Sequence, residues 1–116
     1  MAHEPFVLVP MVTQLASLLI ADNLAQVPIP GSDTYTIVGI SASCRALTSG
    51  PATVIVKNAA GGTITTITLS AGAMAAGTLS ITTIAGGDKM RMGMTAVGIG
   101  LADVTVTAWV RMPSVA

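Results

Sequence analysis

Asp103-Val104-Thr105-Val106-Thr107-Ala108-Trp109-Val110-Arg111-Met112 carries the strongest strand signal in the chain. Val104, Val106, Ala108, Val110 and Met112 alternate with Asp103, Thr105, Thr107, Trp109 and Arg111, and a period of two puts one set on a core face and the other toward solvent. The stretch before it repeats the pattern, with Met90, Met92 and Met94 interleaved with Lys89, Arg91, Gly93 and Thr95. Together the two read as an antiparallel pair joined through the loop at residues 97–102.

Further strands are expected at residues 34–46, 52–57, 63–69 and 78–84. Two more are expected in 7–12 and 14–29, the latter broken at Asp22-Asn23. Residues 14–25 also have a helical alternative, because Leu15, Leu18, Leu19 and Ala25 fall partly at helical spacing. The similar runs beginning at Gly62 and Gly77 look like two arms of one hairpin. Turn signals recur at short intervals: Pro28 to Asp33, Ser49-Gly50-Pro51, Asn58 to Gly62, Gly72 to Gly77, Gly86-Gly87-Asp88 and Gly98-Ile99-Gly100. Regular punctuation of this kind implies an all-β sandwich or barrel of about eight strands. Composition agrees, since Ala, Thr, Gly and Ser make up nearly half the chain and the long aliphatics are mostly β-branched Val and Ile.

At 116 residues the chain is one domain's worth of sequence, expected to divide into an N-terminal arm or first edge strand over 1–12 and a single sandwich over 13–116. Only 9% of residues are charged, 52% are hydrophobic and the formal net charge is zero. Disorder requires the reverse balance. Nucleic-acid binding requires clustered cations, and Arg45, Lys57, Lys89, Arg91 and Arg111 look scattered and matched by acids. Residues 58–87 carry no charge, yet glycines and threonines interrupt them at strand-sized intervals, so they do not read as a transmembrane helix and no membrane association is expected. The first residues lack a basic stretch followed by an apolar core, so no secretory signal is expected. A lone cysteine, Cys44, excludes an internal disulfide and fits synthesis in a reducing cytoplasm.

Catalytic pairings are scarce. His3 stands near the start, where a solvated imidazole is the simplest reading. Cys44 alternates with Ile40 and Ala42 on an inward face and reads as a buried thiol. Glu4, Asp22, Asp33, Asp88 and Asp103 are isolated in sequence, and Asp33 and Asp88 sit where a carboxylate accepts hydrogen bonds from turn amides. Gly98-Ile99-Gly100 lacks the third glycine and following helix of a dinucleotide loop. The alternating methionines read as flexible core filler. No catalytic residue, cofactor or metal ligand is expected, and the chain reads as non-enzymatic.

Two features exceed what a simple core explains. Phe6, Val7, Leu8 and Val9, bracketed by Pro5 and Pro10, are apolar on both faces, which suits either a first edge strand or an arm laid on a neighbouring subunit. Trp109 falls on the outward face beside Thr107 and Arg111. An outward indole suits packing under a loop, a subunit contact or, less readily in a chain with one Trp and one Tyr, a sugar platform. Phe6, Val7, Leu8, Val9 and Trp109 are therefore the candidate interface residues. A neutral monomer with so few charges would expose an unusually apolar surface, so much of the exterior is expected to be covered.

Residues 28–45, 50–58, 85–90 and 98–107 resemble the turn-plus-strand segments of small tailed-bacteriophage virion proteins, in particular capsid decoration (cement) proteins with a jelly-roll β-sandwich. The resemblance spans about residues 28–110, and its patterns are shared with phage tail-fibre and receptor-binding sandwiches. It implies attachment to the outside of the phage head, commonly as a homotrimer that bridges major capsid proteins after expansion, and hence localisation on the virion. The alternative it leaves open is a tail-fibre or baseplate module that binds a host glycan or a partner protein.

Overall fold

A computed structural model describes residues 8–15, 19–31 and 33–111, with the backbone alone at Leu8, Val9, Pro10 and Asp22. The described chain is all strand and turn: β1 (Leu8–Gln14), β2 (Ala21–Pro28), β3 (Thr34–Ala46), β4 (Ser49–Asn58), β5 (Thr63–Thr68), β6 (Met74–Ala76), β7 (Thr83–Ala85), β8 (Lys89–Ile99) and β9 (Ala102–Arg111). One sheet has the order β1-β9-β3-β6, with β7 also on β3, and the other has the order β2-β8-β4-β5. All strand pairs are antiparallel. Successive strands alternate between the sheets at nearly every connection, so the chain is a hairpin rolled up on itself, the jelly-roll form of the antiparallel β-sandwich.

β6 and β7 occupy one position in this scheme. β6 pairs with Ser41–Ser43 and β7 with Thr34–Thr36 of the same strand, so they are two halves of an interrupted eighth strand. The strand expected over 78–84 is thus displaced: Gly77 N donates to Ile40 O and Ile37 N to Thr82 O, so these two residues stay on β3, while residues 78–81 leave the first sheet and cross toward the second. There Ser80 N donates to Ile64 O at 2.8 Å and the buried Thr65 Oγ1 donates to Thr78 O at 2.9 Å. Gly77 permits the crossing, because a Cβ there would fall on Thr65 Oγ1 and within 2.8 Å of Ile67 Cγ1.

Alternation works as the sequence implies. Val104, Val106, Ala108 and Val110 are fully buried, as are Met90, Met92 and Met94, while Tyr35, Ile37, Ile40, Ala42 and Cys44 line the inner face of β3. The expected β8–β9 hairpin does not form. β8 lies between β2 and β4, and β9 lies between β1 and β3, so consecutive strands face each other across the core. A hairpin would set both wholly apolar faces side by side; the turn through Gly98 and Gly100, at φ of 59° and 75°, carries the chain into the opposite sheet and buries each face against the other. Residues 21–28 are strand, which removes the helical alternative there, and 16–18 lie outside the described residues. Of the N-terminal candidates, Leu8 and Val9 belong to β1 and pair with Arg111 and Val110, whereas Phe6 and Val7 lie outside the described residues.

Candidate docking surface

The two outer faces of the sandwich differ. On the first sheet, cross-strand pairing aligns Val12 with Thr107 and Ser41, and Pro10 with Trp109 and Gly39. β3 gains an extra residue at Val38, so Val38 and Gly39 together oppose Trp109. Val12, Val38 and Trp109 are exposed on this face, Trp109 to 41%, and Met74 opposite Ser43 is exposed to 73%. Between them lie short hydroxyl side chains, Ser41, Ser43, Thr105 and Thr107. Trp109 is thus outward, as its parity in the strand requires, and not buried under a loop.

The face ends at the row of connections β1–β2, β8–β9, β3–β4 and β5–β6. These are tied together: Thr48 N donates to Ile99 O at 2.8 Å, and Gly72 N donates to Cys44 O at 3.0 Å. Leu19, Ile20 and Ile99 are exposed on this row. Asp22 stands at the start of β2, and Arg45 and Asp103 form an ion pair across β3 and β9. Hydrogen bonding to Asp103, then its charge, raises the Arg45 pKa above the ordinary guanidinium value.

The outer face of the second sheet is of another character. Lys57 lies directly across from Arg91, Gln26 is on the far side of Arg91, and Lys89 is next along β8. Ile55, which faces that way opposite Gly93, is buried. Arg91 Nε donates to Asn58 O at 3.2 Å, Asn58 Oδ1 accepts from Gly62 N at 2.8 Å, and Asp88 Oδ1 accepts from Ala59 N and Lys89 N at 3.2 and 2.7 Å. Asp88 therefore fastens one turn to the next, as a turn carboxylate should. Apart from Arg45, the cations are not scattered. Lys57, Lys89, Arg91 and Arg111 all fall toward the end of the sandwich that holds the β2–β3, β4–β5 and β7–β8 turns, with Asp33 and Asp88. Strand pairing makes neighbours of residues far apart in sequence, which linear spacing does not show.

The remaining candidates stay apart. Cys44 is buried, its Sγ donating weakly to Ser70 O at 3.7 Å, and His3 and Glu4 lie outside the described residues. Among the described residues no pocket opens in the surface, no three His, Cys, Asp or Glu side chains converge, and no helix is long and apolar enough to cross a membrane. What sequence reasoning missed are Val12, Val38, Met74, Leu19, Ile20 and Ile99. Val12, Val38 and Met74 could be found only from the strand register and the Val38 bulge. Compared with protein-family models, curated proteins and solved structures, the chain matches none.

Proposed function

We propose that the protein is a non-enzymatic virion component that decorates a phage head, attaching to the major capsid lattice through the outer face of its first sheet and the adjoining row of connections. One observation carries the docking surface: among the described residues, the large apolar side chains that are exposed, Val12, Val38, Trp109, Met74, Leu19, Ile20 and Ile99, all avoid the outer face of the second sheet. Isolated surface apolars are ordinary, but a one-sided distribution marks a surface meant to be covered. The phage head as the partner rests on the sequence resemblance, which also supports self-association as trimers on the lattice. Attachment only to the expanded lattice would stabilise it by mass action, with many copies adding.

The test is pelleting of the full chain with expanded and unexpanded heads of the phage that encodes it. Saturable binding to expanded heads, a raised disruption temperature of those heads and loss of binding in Ile99→Lys and Val38→Lys are expected. Equal binding to both head forms, or none, refutes the reading. The tail-fibre alternative draws on exposed Trp109, and glycan-array binding abolished by Trp109→Ala would establish it instead.

A further inference from the structure

The edges of the two sheets are unequal. β5 is covered by residues 78–80, β2 has a register shift between Ala21 and Ala25, and β6 and β7 have three residues each. β1 has seven residues, Leu-Val-Pro-Met-Val-Thr-Gln, in unbroken register with β9 from Leu8↔Arg111 to Gln14↔Thr105, and none is charged. Sheet edges are ordinarily guarded by charges, bulges, shortness or a covering segment. β1 has only Pro10, and among the described residues no strand lies on its outer side.

Hydrogen-bond parity identifies the groups it presents. Leu15 N donates to Val104 O at 3.0 Å, so Thr13, Met11 and Val9, at even spacing from Leu15, also turn their backbone groups to β9. Gln14, Val12, Pro10 and Leu8 turn theirs outward. Pro10 thus falls where a missing N–H costs no bond to β9.

We propose that β1 pairs antiparallel with β1 of a second copy across a two-fold axis, joining the two first sheets into one. In the register that overlaps the whole strand, Leu8 faces Gln14 and Pro10 faces Val12. Every outward N–H then meets a carbonyl, and only the Val12 carbonyl lacks a donor, at Pro10. An uncharged edge meets itself without like-charge repulsion, and the contact is isologous, so it closes at two copies. It is a contact of the free protein made by the backbone edge of the first sheet, which adjoins the outer face proposed for docking at Val12, and a three-fold association would leave it unused.

Sedimentation equilibrium and amide hydrogen exchange on the full chain test it. Twice the monomer mass is expected, with the Val12 and Gln14 amides protected and their protection lost on dilution. Val12→Lys, which places a charge on a side chain already 65% exposed, and Val12→Pro, which removes the outward N–H, should both give monomers. Val38→Lys, on the same face but away from the edge, should remain a dimer. A monomeric or trimeric wild-type chain, or Val12 and Gln14 amides that exchange freely in the dimer, overturns the proposal.

Discussion

Val106 and Thr105 are adjacent in sequence and opposite in environment: Val106 is fully buried opposite Ala42 of β3, and Thr105 is half-exposed between Gln14 and Ser43. Val106→Asp would bury a carboxylate with no cation in reach, a cost of at least about 4 kcal/mol and enough to unfold a domain of this size. Thr105→Asp stays in water and should change stability by less than about 1 kcal/mol. Urea denaturation of the two variants checks the face assignment, and equal destabilisation would refute it. The same parity was readable in the sequence for Cys44, Trp109 and the three methionines, because a period of two is a property of one strand alone. Exposure of Val12, Val38 and Met74 was not readable, since it depends on how strands pair and, at Val38, on a single extra residue in β3.

At the scale of elements, β3 runs over the residues its alternation marks, whereas the partner of β8 and the break between β6 and β7 were not legible. Alternation says which side chains face inward but not whether the next strand lies beside or across, and for β8 and β9 the answer is across. Residues 78–84 read as strand because Thr, Leu and Ile fill them; instead 78–81 close the sandwich from one sheet edge to the other, where Thr65 and Ile67 leave no room beyond a glycine hydrogen at residue 77. Gly77→Ala should therefore cost about 1–3 kcal/mol despite the high strand content around it. Trimming one obstacle ought to recover part of that loss. In a double-mutant cycle, Thr65→Ala with Gly77→Ala is expected to be less destabilising than the sum of the single changes, by at least about 0.5 kcal/mol. Additive values would mean that residue 77 is not pressed against β5.

Over the whole molecule, formal neutrality conceals a lengthwise separation. Lys57, Lys89, Arg91 and Arg111 gather with Asp33 and Asp88 toward one end, while the other end holds the paired Arg45 and Asp103, Asp22 and the exposed Leu19, Ile20 and Ile99. Each end makes a different prediction about attachment. Apolar and backbone contacts are little affected by screening, so docking through the first sheet and the adjoining connections should change in affinity by less than about threefold between 50 and 500 mM NaCl, as the Debye length shortens from about 14 to 4 Å. Docking through the cationic end would weaken by more than about tenfold over the same range, because partly exposed pairs are screened. Charge reversal separates the two independently of salt: Lys57→Glu and Arg91→Glu should leave attachment to expanded heads unchanged, whereas Ile99→Lys should abolish it. A steep salt dependence together with loss of binding in Lys57→Glu would turn the molecule end for end on its partner.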